Sequence, residues 1–208
     1  MQTHELPLLA ELHEAEVGVP ITENPPETAY QFRRAVRAVL FNEKGQTGLL
    51  HATNDGYHKL AGGGVERVGN GYQQEENMAT LRRELLEETG YEAFVRDGVG
   101  KIVEAKDGQK ILQLSECYIA DVVGEQQPIE LTEDEQKAGL TLEWMSLDEA
   151  IATMERDNPP SYLGKFIRAR DLILLKRARE IVNQQTVTRA QIGRTLAASS
   201  DVTGAIGA

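Results

Sequence analysis

Three glutamates within five residues are the part of this chain best suited to chemistry. At about 100° per residue of an α-helix, Glu84, Glu87 and Glu88 converge on one face within an arc of about 100°. Like charges this close repel, and without a neutralising cation at least one carboxylate takes up a proton near neutral pH. Carboxylate oxygens suit Mg²⁺ or Mn²⁺, which usually bind phosphate oxygens as well. The spacing therefore predicts a site for a divalent cation and a phosphate-bearing ligand.

The helix that carries these glutamates is amphipathic. Its opposite face holds the apolar residues Met78, Leu81 and Leu85, which we expect to dock on a core while the acidic face borders a cleft or solvent. Gly90 can adopt the left-handed conformation that ends a helix. Asn70 and Gln73 have the spacing of a capping pair, so the helix is predicted to start as early as Gly71.

An acidic helix alone is more often a solvated surface than a metal site. Here, however, it follows three consecutive glycines, Gly62, Gly63 and Gly64. Glycine lets the backbone approach a phosphate closely and exposes peptide groups to ligands. This context favours the metal site over the solvated face.

These residues together resemble the Nudix box, GX5EX7REUXEEXGU, in which U is an aliphatic or aromatic residue. The matching residues are Gly62-Gly63-Gly64-Val65-Glu66, then Glu75, then Arg83-Glu84-Leu85-Leu86-Glu87-Glu88-Thr89-Gly90-Tyr91. From Glu75 to Tyr91 the spacing fits at every defined position. The motif is specific because so many positions are in register.

The first half of the box departs from the pattern. Gly69 satisfies the literal spacing to Glu75, whereas Gly63 better fits the strand-to-loop glycine pair of the family. We favour Gly63, which implies an insertion of six residues and an outward loop at residues 68–74. Ala61 also stands where family members often have proline, and alanine tolerates the same extended conformation.

The resemblance implies an α/β protein with the Nudix fold, a mixed β-sheet sandwiched between α-helices. It also implies hydrolysis, with Mg²⁺ or Mn²⁺, of the pyrophosphate bond of a nucleoside diphosphate linked to another moiety. Glu84, Glu87 and Glu88 map onto the metal-binding glutamates, and the Gly62 carbonyl is a further candidate ligand. Arg83 would orient the glutamates. The residues expected to shape the motif are Gly63, Gly64, Glu75 and Gly90.

The general base stays open, because the family uses either a box glutamate or one on a downstream loop. The loop candidates are Glu130, Glu133 and Glu135, and a solvated acidic loop is the alternative interpretation. His51 and His58 could donate to phosphate or be ordinary surface histidines.

The substrate is indicated only by missing signatures. ADP-ribose hydrolases of the family tend to have a proline shortly after the box, and the first proline after Tyr91 is Pro128. This favours nucleoside triphosphates or related nucleotides, including oxidised ones. The alternative is a catalytically inactive sensor of a nucleotide or ADP-ribose, against which the intact glutamates argue.

Composition predicts a cytoplasmic protein that binds neither nucleic acid nor membranes. The 208 residues include 40% hydrophobic and 26% charged residues, with a net charge of −11. This charge opposes nonspecific binding to DNA. We find no targeting segment and no apolar run long enough to span a membrane. Cys117 is the only cysteine and is predicted to be a buried structural thiol.

The chain divides into three predicted regions. Residues 1–30 hold six glutamates, four prolines and no lysine or arginine, and form an acidic arm with a helix at residues 8–15. The Nudix domain spans residues 31–182, and residues 183–208 form a polar tail. In the last helix of the domain, residues 162–182, basic residues including Arg170 are expected on a solvated or intersubunit face. A homodimer is therefore one possibility.

Hydrophobic runs and turn residues predict the remaining elements. Strands at residues 33–41 and 48–52 form one hairpin, and residues 92–105, with a break near Asp97, pair with residues 111–123 in another. A further strand covers residues 140–145. Ser146 and Glu149 have the spacing of a capping box at the start of a helix.

Overall fold

The computed structural model describes residues 5–23, 27, 29–68, 73–74 and 76–203. Glu75, Gly69, Asn70 and Gly71 lie outside the described residues, so the predictions on them stay predictions. The strands are β1 Leu8–Leu12, β2 Gln31–Phe41, β3 Thr47–Ala52, β4 Tyr57–Lys59, β5 Arg67–Val68, β6 Gln73–Gln74, β7 Glu92–Lys106, β8 Ile111–Val123 and β9 Leu140–Met145. The helices are α1 Asn77–Thr89, α2 Glu133–Ala138, α3 Leu147–Arg156 and α4 Tyr162–Thr203.

The main sheet is mixed and has seven strands. Its order is β1-β7-β8-β2-β3-β4. Strands β2 and β4 pair with successive parts of one edge of β3, and β9 pairs along its opposite edge. The pairs β1/β7 and β2/β8 are parallel, whereas the remaining pairs in this sheet are antiparallel. Strands β5 and β6 form a separate two-stranded ribbon.

Each face of the sheet is covered by helices. On one face, Leu81 and Leu85 of α1 pack with Val36 and Leu50 in one core cluster. On the other face, residues of α3 and α4, such as Met154 and Phe166, form a second cluster with Val39 and Leu49. Because alternate strand residues point to opposite faces, the apolar β2 strand contributes to both clusters. The predicted α/β arrangement, a mixed sheet between helices, is confirmed.

Both predicted hairpins are present. Strands β2 and β3 meet at the pairs Leu40/Gly48 and Phe41/Thr47, and β7 pairs with β8 along nearly its whole length. The expected break near Asp97 is instead a pair of register shifts within one continuous strand. The capping box is confirmed as well, since Ser146 and Glu149 cap each other's backbone at the start of α3.

The predicted helix at residues 8–15 is wrong, because Leu8–Leu12 is a strand parallel to β7. A short apolar run such as Leu8-Leu9-Ala10 does not distinguish helix from strand by itself. The exposed edge of β7 decides the conformation, for example through Lys101 N–H donating to the Pro7 carbonyl at 2.8 Å. Leu12 is then buried in the core.

The acidic helix α1 begins at Asn77, with Glu76 at its N-cap. Residues 73 and 74 cannot be helical because they pair with Arg67 and Val68 in the β5/β6 ribbon. The insertion expected at residues 68–74 therefore has extended, paired ends.

The last helix differs from its prediction in length and in the position of one arginine. Helix α4 runs without a break through residue 183 to Thr203. Arg170 is not on a solvated face: it is 1% exposed and donates to Asp171 at 2.6 Å and to Glu104 at 3.3 Å. The spacing of charges on a helix could not reveal that Glu104, on β7, lies beneath it.

The prediction for Cys117 has a clear outcome. Cys117 is fully buried, as predicted, and burial raises the pKa of its thiol well above the usual range. None of the helices in the described part of the chain is long and apolar enough to cross a membrane.

Candidate active site

Helix α1 presents its three glutamates at different depths. The side chain of Glu88 is 1% exposed, that of Glu84 is 13% exposed and that of Glu87 is 35% exposed. Leu81 and Leu85 are fully buried on the opposite side and hold the helix on the sheet. The predicted amphipathic division is therefore present.

The C-terminus of α1 is fixed by Gly90. This residue has φ 73, and its N–H donates to the Leu86 carbonyl at 2.9 Å. It is the left-handed cap that the sequence predicts. The neighbouring loop is also fastened here, since Gln127 N–H donates to the Gly90 carbonyl at 2.7 Å.

The glycine loop is held on strand β2. Val36 N–H donates to the Gly63 carbonyl at 2.9 Å, and Val65 N–H donates to the Arg34 carbonyl at 2.9 Å. Gly62 has φ 126, a conformation that side chains disfavour. A Cβ atom on Gly63 would overlap the carboxylate of Glu84. Glycine at these two positions lets the loop lie directly against the acidic helix.

The most buried glutamate is bound by the strand and loop opposite α1. Lys59 Nζ donates to Glu88 Oε1 at 2.6 Å, and Gly62 N–H donates to Glu88 Oε2 at 2.6 Å. Burial still raises the pKa of Glu88 above its ordinary value, although Lys59 and the Gly62 hydrogen bond oppose that shift. The contact from Gly62 to the glutamates thus uses its N–H; a ligand role for its carbonyl stays a prediction.

Arg83 joins the two more exposed glutamates. Its Nη1 atom lies 3.1 Å from Glu84 Oε1 and 3.0 Å from Glu87 Oε2. Burial, followed by repulsion from Glu88, nevertheless raises the pKa of Glu84 to about 7. One guanidinium therefore does not offset the burial and the repulsion in the cluster, and the pKa of Glu84 lies near neutral pH.

The glutamates and the glycine loop border one cleft with a volume of about 830 Å³. Its other walls come from the segment before α2 and from three basic side chains. Besides Arg83, the basic residues that line it are Arg33, Arg37 and Lys59.

These three cations were missed by sequence reasoning. Arg37 is 9% exposed, and its Nη1 atom donates to the Val36 carbonyl at 2.7 Å. Burial, followed by repulsion from Arg170, lowers the pKa of Arg37 to about 10, so it stays charged at neutral pH. Arg33 and Arg37 are four residues apart on β2, a spacing that puts both on one face. This spacing indicates that both arginines border the cleft only once the glycine loop is known to pair with β2, as it does between Ala35 and Gly64.

The three loop glutamates differ in position. Glu130 lines the cleft, and its N–H donates to the Glu87 carbonyl at 2.9 Å. Glu135 also lines it, but its Oε2 accepts from the Thr132 N–H and hydroxyl in the capping box of α2. Glu133 does not line the cleft, and its side chain is 89% exposed beside Lys137. The geometry thus favours Glu130 among the candidates for the base.

The two histidines are not part of this cleft. His51 contacts Glu143 at 2.9 Å and His58 contacts Asp157 at 3.0 Å. Neither ring is among the residues that line the cleft.

The family model of the NUDIX domain matches residues 31–165 of the chain. This chain belongs to the NUDIX family. The expectation of a Nudix hydrolase, an enzyme of the pyrophosphohydrolase type, is therefore confirmed. The matched segment contains the glycine loop, α1 and every described residue that lines the cleft.

Solved structures resemble this NUDIX protein over most of its length. The NUDIX domain of Shewanella oneidensis NrtR, complexed with ADP ribose, has a TM-score of 0.50 and 17% identity, covering 77% of this chain and 94% of that one. A MutT protein from Methanosarcina mazei Go1 has a TM-score of 0.48 and 22% sequence identity, and the match covers 74% of this chain and 98% of that one. A NUDIX hydrolase from Nitrosomonas europaea has a TM-score of 0.49 and 19% sequence identity, and the match covers 67% of this chain and 89% of that one. At these identities the likeness concerns the fold alone. No curated protein matches the sequence.

Proposed function

We propose that this NUDIX protein hydrolyses the pyrophosphate bond of a nucleoside diphosphate linked to another moiety, with a nucleoside triphosphate or a related nucleotide, including oxidised ones, as substrate. The observation that carries the proposal is the cleft in which Glu84, Glu87 and Glu88 lie with four basic side chains. A site of this kind can hold a cation and a polyanion together.

The side chains fit a divalent cation, as Nudix hydrolases generally use one. Glu84 has a pKa raised to about 7 because burial and Glu88 disfavour its charge, and a nearby cation would reverse both effects. The donors are carboxylate oxygens, which suit Mg²⁺ or Mn²⁺. When bound, Mg²⁺ would supply positive charge against the diphosphate and a more acidic water molecule.

The protein's own residues have separate tasks in this proposal. Arg83, within 3.1 Å of both Glu84 and Glu87, orients these carboxylates. Arg33, Arg37 and Lys59 attract the phosphate chain and stabilise charge that develops on its oxygens.

Glu130 is the residue we propose to accept a proton from the attacking water. Its backbone is fixed to Glu87 by a hydrogen bond, and its carboxylate is exposed at the cleft. A base must be within hydrogen-bond reach of the proton that it removes, and the position of Glu130 at the cleft beside α1 supports this role.

The charge of the residues that line the cleft indicates the class of substrate. Apart from glycine, the residues that line it are mostly charged, with Val65 and Leu131 as apolar exceptions among those described. Charged walls suit a phosphate chain, and a volume of about 830 Å³ lies in the range of nucleotide-sized ligands. The cytoplasmic location, the lack of nucleic-acid binding and the possibility of a homodimer stay predictions.

The test is a substrate panel with and without a chelator. Nucleoside triphosphates, oxidised nucleotides, ADP-ribose and a nucleoside diphosphate sugar are incubated with the protein and Mg²⁺, and products are separated by chromatography. We expect Mg²⁺-dependent cleavage at a pyrophosphate bond of at least one nucleoside triphosphate. Tight binding of a nucleotide or ADP-ribose without turnover of any compound would instead identify a sensor.

A further inference from the structure

Two histidines and a glutamate meet on the face of the sheet opposite to the acidic helix. His51 and His58 are direct cross-strand partners on β3 and β4, and Glu143 on β9 pairs with Leu49, two residues before His51. The three side chains therefore project from neighbouring strands on one face. His51 Nδ1 lies 2.9 Å from Glu143 Oε1, and His58 Nε2 lies 3.6 Å from Glu143 Oε2.

Asp157, the C-cap residue of α3, fixes the orientation of His58. Its Oδ2 atom accepts from the backbone N–H of His58 at 2.8 Å and lies 3.0 Å from His58 Nδ1. A proton on Nδ1 leaves Nε2 with a free lone pair that points toward Glu143. Metal-binding histidines commonly have such a carboxylate on the second ring nitrogen.

The spacing of the three potential ligand atoms fits one small ion. One ligand atom from each residue can be chosen so that all three lie within 4.8 Å of one another. Zinc–ligand bonds of about 2.1 Å in a tetrahedron separate ligand atoms by about 3.4 Å. The side chains of His51 and Glu143 are 28% and 43% exposed, so an ion can enter and solvent can complete its coordination.

Hydrogen bonding alone explains only part of this arrangement. Glu143 can pair with His51 at 2.9 Å, but its contact with His58 Nε2 at 3.6 Å is too long for a hydrogen bond. One nitrogen of each ring lies beside the same carboxylate, and the rings stack with centroids 4.1 Å and planes 16° apart. Because the lone pair of an imidazole nitrogen lies in the ring plane, the partly exposed His51 ring turns when both nitrogens bind one ion.

We propose that His51, His58 and Glu143 bind one Zn²⁺ ion, separate from the cation of the acidic cleft. Imidazole nitrogen favours Zn²⁺ over Mg²⁺, which prefers oxygen ligands only. The two sites cannot share an ion, because neighbouring residues of β4 project to opposite faces. Lys59 contacts Glu88 on the cleft side, whereas His58 contacts Asp157 on the other side.

The role of this ion is structural. It would connect β3, β4 and β9, and Asp157 extends the connection to α3. Strand β4 leads directly into the glycine loop, so the ion also restrains the strand that carries Lys59. Because the ion binds the folded chain, it raises thermal stability.

The test measures Zn²⁺ binding by titration calorimetry on full-length protein that was first stripped with a chelator and desalted. Saturating Mg²⁺ is present throughout to occupy the acidic cleft. We expect one Zn²⁺ per chain and a rise in Tm. The variant His51→Gln should bind at least about tenfold more weakly and lose the rise in Tm. His51 is chosen because it is partly exposed, so the variant is expected to fold.

His13→Gln is the matched control, since His13 is an exposed histidine outside the cluster; it should bind Zn²⁺ like the parent. Visible absorption of Co²⁺ provides a second readout, because a tetrahedral nitrogen and oxygen site gives intense bands that Glu143→Gln should reduce. The proposal is overturned if Zn²⁺ does not bind in the presence of Mg²⁺, or if His51→Gln and His13→Gln bind it equally well.

Discussion

The backbone N–H of Gly62 donates to the carboxylate of Glu88 at 2.6 Å. This hydrogen bond joins the glycine loop to the acidic helix, twenty-six residues apart in sequence. Because Glu88 also accepts from Lys59, one buried carboxylate fixes the relative position of the strand, the loop and the helix that form the cleft.

The first prediction concerns the glutamates of α1. Glu87→Gln removes a proposed metal ligand but keeps the size of the side chain, and Glu87 is partly exposed, so folding should be preserved. We expect kcat to fall at least about 100-fold, in a steady-state assay on the substrate found in the panel. Glu92→Gln, an exposed residue at the start of β7, is the control. Equal activity of the two variants would remove Glu87 from the metal site.

The second prediction is that the free energy of unfolding depends on pH when divalent ions are removed. The pKa of Glu84 is about 7 in the folded chain against an ordinary value of 4.5. The folded state therefore binds more protons between these values, and the free energy of unfolding falls as pH rises through that window. The loss from Glu84 is at most about 3 kcal/mol.

Urea unfolding in a chelator at several pH values measures this effect. Glu84→Gln should flatten the decrease between pH 4.5 and 7, because the amide does not titrate. Mg²⁺ should stabilise the parent more at pH 8 than at pH 5. A parent and a Glu84→Gln variant with the same pH profile would contradict the prediction.

The third prediction separates the loop glutamates. Glu130→Gln should lower kcat by about 10² to 10⁴ if Glu130 is the general base, with little change in Tm because its contact to Glu87 uses the backbone. Glu133→Gln should retain activity, since Glu133 does not line the cleft. The pH profile of kcat is the second measurement, and its acidic limb should disappear in Glu130→Gln. Full activity of Glu130→Gln would exclude Glu130 as the base and leave Glu135 and the glutamates of α1 as candidates.

The fourth prediction tests the buried ion pair between Lys59 and Glu88, which lie 2.6 Å apart. Lys59→Met leaves the Glu88 carboxylate buried without its cation, and we expect a loss of about 3 kcal/mol in the free energy of unfolding. Adding Glu88→Gln removes the uncompensated charge and should restore most of that stability. A double variant as unstable as the sum of the single ones would show that the residues are not coupled.

The fifth prediction concerns the cations that border the cleft. Arg33→Gln should raise KM for a nucleotide substrate several-fold, because an exposed guanidinium beside Gly64 is removed. Arg82→Gln removes an exposed arginine of α1 that does not line the cleft, and its KM should be unchanged. Increasing ionic strength should reduce the difference between the parent and Arg33→Gln.

The amino-acid sequence by itself determined the features that depend on short spacing. The three glutamates share a helix face because of the helical period, Gly90 caps that helix with φ 73, and Ser146 with Glu149 starts α3. Hairpins with short turns, such as β2/β3, were predictable for the same reason. Each of these depends on residues a few positions apart, so local rules suffice.

Only the tertiary structure decided which distant residues meet. Lys59 reaches Glu88, Arg37 borders the cleft, and Arg170 is buried against Glu104. Residues 8–12 are a strand because the edge of β7 offers backbone partners to an ambiguous apolar run. The cluster of His51, His58 and Glu143 likewise depends on three strands being brought side by side. In each case the partner is set by the pairing of strands and the packing of helices, over separations that no local pattern encodes.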